Sequence, residues 1–194
     1  GVLAVAVPSV LVFLSIVMQE GQTLIKDYQR DRIMAFFDPA TYADTEAYQQ
    51  LNSVIAIGSG QLWGKGLNNT DIASVKNGNF LPESQTDFIF AVIGEELGFV
   101  GSAVVILLLI LIAMRCVSIA RVAKDTAGMV IAAGMGSLIG IQGFMNIAVA
   151  TMMMPNTGLP LPFVSYGLSS LVSMYIGIGF VLNVGLQRKN LYNL

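Results

Sequence analysis

The sequence predicts an all-α integral membrane protein, a polytopic helical bundle with one long loop outside the bilayer. Hydrophobic residues make up 55% of the 194 and charged residues 11%, and mean hydropathy is +0.71, too apolar for a soluble domain of this size. Four apolar stretches, about 1–18, 97–114, 126–150 and 166–186, could each cross roughly 30 Å of hydrocarbon as a helix. The remaining charge is segregated, with nine of the twelve acidic residues lying in 19–87.

The first span, about 1–18, has no basic flank and no small-residue cleavage site before Gln19 and Glu20, so it reads as a mature span and not as a secretion signal. The chain starts at Gly1 in apolar sequence, as expected of the C-terminal piece of a longer protein.

The loop, about 19–87, carries five basic residues beside its acids. Within it Leu24, Ile25, Tyr28, Ile33, Phe36 and Phe37 recur at helical spacing among charges, the pattern of a helix on a membrane surface, which Asp38 and Pro39 end. A second periodic set, Tyr48, Leu51, Val54 and Ile55, predicts another short helix. After it comes a glycine-rich run, residues 58–66. That run is not a Walker A motif, because Ser59 and Gly66 stand where the motif needs Gly and Ser or Thr. Two readings of it stand open: a turn shaped by its glycines, or a loop that brings Lys65 and backbone N–H groups to an anionic substrate.

The second span, about 88–115, opens with charge at a membrane boundary, where ionisable groups persist if they meet a cavity, a partner or a substrate. Gly94 and Gly98 within it are four apart and permit close helix approach. Arg115, Arg121 and Lys124 flank the next turn, and Arg188 and Lys189 follow the last span. The positive-inside rule puts both groups in the cytoplasm and residues 19–87 and 151–165 outside. Cys116 is the single cysteine, so no internal disulfide forms.

The third span, about 126–150, repeats the small-residue spacing at Gly136 and Gly140, and it carries Gln142 and Asn146 on one face, where they need hydrogen-bond partners. The segment that follows holds Pro155, Pro160 and Pro162, which forbid a continuous helix. Apolar, non-helical backbone must lean on protein or line a cavity. It forms either a tight outer loop or one wall of a groove. The last span, about 166–186, shows a small-residue stripe of Ser165, Ser169, Ser173 and Gly177, read as a packing face.

The chain contains no histidine, so proton chemistry near neutral pH falls to carboxylates. Asp87 has two open readings. With Ser84 it fits a capping box, and at the water interface it could act as general base toward a sugar hydroxyl. A paired-carboxylate glycosidase needs a second carboxylate within roughly 10 Å, and Glu95 lies about 12 Å along a straight helix. Glu96 points the opposite way from Asp87, and Glu83 is a secondary candidate. Glu95 and Glu96 read better as groups that bond neighbouring helices or loop backbone.

Residues 80–98, FLPESQTDFIFAVIGEELG, and 157–167, TGLPLPFVSYG, resemble the hallmark segments of the SEDS proteins (RodA, FtsW and SpoVE), and 58–67 resembles their glycine loop. The resemblance covers essentially the whole chain and implies the C-terminal four spans of a ten-span fold. It implies a peptidoglycan glycosyltransferase that polymerises lipid II, an undecaprenyl-diphosphate-linked disaccharide, in elongation, division or sporulation. The protein would lie in the bacterial cytoplasmic membrane, with its catalytic side outside, and work with a class B penicillin-binding protein. The family's essential aspartate in Thr-Asp-Phe carries over to Asp87. Gly60, Lys65, Gly66, Glu83, Thr86, Pro160, Pro162 and Ser165 are the candidate substrate contacts. Leu168 departs from the family's second glycine. No cofactor, no protein metal site and no nucleic acid are expected; a divalent cation stays open. Two other functions compete: a flippase or transporter of lipid-linked sugars that uses Glu95, Gln142 and Asn146, and a non-catalytic scaffold of the synthesis complex.

Overall fold

In the computed structural model, residues 26–67 and 84–187 are described. The expected first span, Leu24 and Ile25, Glu83, and Arg188 and Lys189 lie outside the described residues. All regular elements among those described are helices: α1 (Asp27–Phe37), α2 (Tyr48–Ser59), α3 (Ile89–Arg121), α4 (Thr126–Ala150) and α5 (Leu168–Leu186). The last three are long and apolar enough to cross a membrane.

Helix α1 begins where the Gln29 side-chain oxygen accepts from Lys26 N–H at 3.2 Å, and it ends at Asp38 because Pro39 cannot continue it. Helix α2 does not bury the apolar set its periodicity suggests. Val54 and Ile55 are exposed, and the buried face is Gln50, Ser53 and Ala56. Hydrogen bonding accounts for this. The last carbonyls of a helix have no intrahelical donor, and α2 supplies donors to the end of α4. Gln50 Nε2 donates to Val149 O at 3.1 Å and Met154 O at 2.9 Å, and Ser53 Oγ donates to Ala150 O at 2.7 Å. The loop helix is thus docked on the top of the bundle.

Helices α3 and α4 form the central hairpin. Its turn is closed by Asp125, whose Oδ1 accepts from Gly128 N at 3.1 Å. Gly136 lets the helices touch, since a Cβ there would lie 3.0 Å from Ala113 O and 3.1 Å from Cys116 Cβ. Phe88, Ala91, Leu109, Ala132, Ile139, Val149 and Leu161 fill the core.

Three expectations need correction. Helix α3 runs to Arg121, past the expected end at 115, because charge can end a membrane segment without ending a helix. The cap of α3 is Phe88, with no side-chain cap bond; Ser84 sits in the preceding turn, so no Ser84–Asp87 capping box forms. On α5 the buried residues are Met174 and Val181, while Ser169 and Ser173 are exposed. Of the expected stripe Gly177 packs, against the Met135 side chain, and Ser165 is buried before the helix starts.

The largest departure is at Gly98, where φ is 65° and ψ is −164°. Helix α3 is broken there into 89–97 and 99–121.

Candidate functional site

Asp87 stands in the turn 84–88 that leads into α3, half-buried between a buried Phe88 and the proline-rich loop. Its backbone is held from α4: Asn146 Nδ2 donates to Asp87 O at 2.7 Å and to Leu159 O at 2.7 Å. One turn earlier on α4, Gln142 Nε2 donates to Pro160 O at 2.9 Å. Ser165 joins the two segments from the other side. Its Oγ donates to Thr86 O at 2.6 Å and accepts from Leu161 N at 2.6 Å. Tyr166 N donates to Gln85 O at 2.8 Å. These bonds take up amide hydrogens of Gln142 and Asn146, and they fall on backbone that lipid could not satisfy.

Of the sequence candidates, the fold therefore brings together Asp87, Thr86, Pro160 and Ser165; Ser165 and Pro162 are themselves buried and brace the loop instead of facing a substrate. It also adds two residues to them. Gly158, at φ 67°, has a backbone position where a Cβ would meet Asp87 Oδ2 at 3.4 Å and Arg32 Nη1 at 3.7 Å. The Asp87 carboxylate and the Arg32 guanidinium thus converge above the same glycine. Arg32 arrives from α1, one helical turn beyond Tyr28, with its Cζ 5.9 Å from that ring's centroid. The turn is shaped by Asn156, whose Oδ1 accepts from Gly158 N at 3.1 Å. Sequence reasoning missed Arg32 because nothing distinguishes it from Lys26 or Arg30 along the same amphipathic stretch. Gly158 lay within the proline-rich motif, but its positive φ was not legible.

Gly60, Lys65 and Gly66 sit elsewhere, in the break of α3. A continuous helix would bond Phe99 N to Glu95 O and Val100 N to Glu96 O. At the break the loop takes over both ends of that exchange. Lys65 N donates to Glu95 O at 2.9 Å and Gly66 N to Glu96 O at 3.0 Å, while Phe99 N donates to Gln61 O at 2.8 Å and Val100 N to Leu62 O at 3.2 Å. Close approach requires the glycines. A Cβ on Gly60 would lie 3.0 Å from Glu95 Cα and closer still to Gly94 O, and one on Gly98 would meet Leu62 O at 2.7 Å. Lys65 Nζ bonds Glu95 Oε1 at 2.8 Å, with the Glu95 side chain 2% exposed. The anion-cradle reading of this loop gives way to a structural one, because Gly64 N, Lys65 N, Gly66 N and the ammonium are all bonded within the protein. Gly94 and Gly98 do mark a close approach, but their neighbours are α2 and the glycine loop rather than another span.

Two cavities flank these features. An apolar groove of about 640 Å³, lined by Ile57, Phe90, Phe99, Ile106, Leu107 and Ile147, runs beside the break. A polar cavity of about 330 Å³ includes Arg32 and Asn156 in its wall. Among the described residues, no group of three or more His, Cys, Asp or Glu side chains gathers to hold a metal ion.

The chain is similar to known proteins over most of its length. The family model described as cell cycle protein, FTSW_RODA_SPOVE, matches residues 2–190. The peptidoglycan glycosyltransferase MrdB of Escherichia coli K12 is 42% identical over 168 residues, 87% of this chain and 45% of that protein. The probable peptidoglycan glycosyltransferase FtsW of Geobacter metallireducens is 39% identical over 163 residues, 84% of this chain and 42% of that one. A solved chain from a peptidoglycan synthase complex, studied for how it coordinates polymerization and crosslinking, superposes with a TM-score of 0.70 at 28% identity. The match covers 97% of this chain and 49% of the other. The chain spans less than half the length of the curated relatives it matches.

Proposed function

The chain belongs to the FtsW, RodA and SpoVE family of cell cycle proteins, and on that premise we propose that it carries the reacting end of a peptidoglycan glycosyltransferase that extends glycan strands from lipid II. The observation that carries this reading is the bracing of Asp87. Its carbonyl and that of Thr86 are tied by buried Asn146 and Ser165, and its carboxylate and the Arg32 guanidinium both approach the Gly158 position. A general base must be held in place, and this bracing of the Asp87 backbone supports that role.

In the proposed step, Asp87 removes the proton of the acceptor sugar's hydroxyl as that oxygen attacks the donor's anomeric carbon. The bond to the lipid diphosphate breaks, and the diphosphate leaves with the electron pair. A diphosphate needs no proton to leave, so one base suffices and no second carboxylate is required. A divalent cation that assists would arrive with the diphosphate. The apolar groove beside the α3 break offers the lipid carrier a place at the same end of the bundle. The site faces the outside of the bacterial cytoplasmic membrane in this reading, with Arg115, Arg121 and Lys124 inside, and a class B penicillin-binding protein is the crosslinking partner.

The test uses the full-length parent in complex with its synthase partner. Asp87→Asn should fold and assemble normally yet lose about 10²- to 10⁴-fold in glycan growth from lipid II, the range of general-base catalysis. Polymer at near-normal rate from that variant would overturn the assignment.

A further inference from the structure

The polar cavity beside Asp87 has no role in the step just described. Its wall includes Tyr28 and Arg32 of α1, Asp44 and Glu46 of the following loop, Gln49 of α2 and Asn156 of the proline-rich loop. We propose that it is a saccharide subsite for the acceptor, holding the sugar whose hydroxyl Asp87 deprotonates. The inference rests on the transferase reading and names where one of its substrates sits.

Three observations support it. The first is continuity. Arg32 lines the cavity and also approaches the Gly158 position that Asp87 Oδ2 approaches, and Asn156 lines the cavity while its Oδ1 accepts from Gly158 N. The cavity and the carboxylate thus share one turn of backbone, so a ring held there presents a hydroxyl toward Asp87.

The second is charge. Asp44 and Glu46 outnumber Arg32, so the lining carries net negative charge at neutral pH. That disfavours a diphosphate and a carboxylate-rich peptide, and it leaves the neutral sugar as the part of the substrate that fits. The third is composition and size. Carboxylates and amides that accept from hydroxyls, an exposed Tyr28 ring that can lie against a sugar face, and a volume of about 330 Å³ suit one or two sugar rings. The volume is at the small end of ligand pockets, roughly 300–1,000 Å³, so the lipid carrier belongs elsewhere.

The experiment measures the lipid II dependence of glycan growth in the full-length protein with its partner, for wild type, Asp44→Ala, Gln49→Ala and Asp87→Asn. Asp44 is exposed in a turn outside every helix, so its replacement leaves the fold intact even if Gln49→Ala does not. Each cavity variant should raise the KM for lipid II at least threefold with a smaller change in kcat, whereas Asp87→Asn should lose kcat. The soluble N-acetylglucosaminyl-N-acetylmuramic acid disaccharide with its lactyl carboxyl amidated, neutral at that position as it is in lipid II, should inhibit wild type, and inhibit Asp44→Ala at least threefold less well. Unchanged KM in Asp44→Ala, or equal inhibition of it and wild type by the disaccharide, would overturn the subsite while the loss in Asp87→Asn still upholds the transferase. A wild-type complex that makes no polymer would overturn the transferase reading itself.

Discussion

Asn146 is 1% exposed and gives both amide hydrogens to backbone carbonyls. Its replacement by alanine leaves Asp87 O and Leu159 O without those donors, at about 1–3 kcal/mol for each carbonyl left unpaired. Asn146→Ala should therefore lower the thermal unfolding midpoint of the purified full-length protein by several degrees and weaken glycan growth. Ser173→Ala serves as contrast. That hydroxyl is exposed and bonds back to Ser169 O at 2.7 Å within its own helix, so its loss should stay within about 0.5 kcal/mol. At this scale much of the site was legible. Asp87 stood out as charge at a boundary, and Gln142 and Asn146 as polar groups that needed partners. Which carbonyls they serve was not, because those lie up to 59 residues away in sequence and a periodicity says which face a side chain is on, never what it meets.

The element that decides the geometry around the site is the clasp between residues 60–66 and the break in α3. Gly98→Ala places a Cβ 2.7 Å from Leu62 O at φ 65°, and a non-glycine residue in such a conformation costs of order 1–3 kcal/mol before the clash is counted. It should reduce the yield of folded protein, measured as the monodisperse fraction after detergent extraction. Gly58→Ala should do the opposite. Gly58 is helical with nothing within 4 Å of its added Cβ, so alanine should gain about 0.5–1 kcal/mol. The Lys65–Glu95 pair makes a third case. Lys65→Met removes the ammonium from a carboxylate that is 2% exposed and should cost about 1–3 kcal/mol, below the roughly 3–5 of a fully buried pair because Lys65 keeps some water contact. Adding Glu95→Gln should restore part of that stability in a double-mutant cycle. The break could not be read from the chain, since Gly98 fits an apolar helical run as well as any helix glycine does. Only the loop that replaces its hydrogen bonds makes the interruption stable.

For the molecule as a whole, the antiparallel α3–α4 hairpin brings the Asp87 turn and residues 151–167 to one end and leaves Lys124 at the other. Orientation in the membrane is then a single choice, and the positive-inside rule proposes the cytoplasm for the basic end. With Cys116 replaced by alanine, Thr157→Cys should react with a membrane-impermeant thiol reagent added to intact spheroplasts. Lys124→Cys should react only after permeabilisation. Thr157 is exposed and Asp125, next to Lys124, is exposed as well, so labelling in the reverse pattern would invert the proposed topology.

The sequence by itself determined that this is a helical membrane protein, where the three helices long enough to cross a membrane lie among the described residues, and that Asp87 stands at the start of one, because hydropathy and desolvation act locally on each stretch of chain. Tertiary structure alone decided that α2 buries its polar face, that the glycine loop mends a broken helix instead of cradling an anion, and that Arg32 and Asp87 approach the same glycine, Gly158. Those outcomes depend on backbone groups finding partners far along the chain, and a buried hydrogen bond or ion pair draws its energy from a neighbour that no local pattern names.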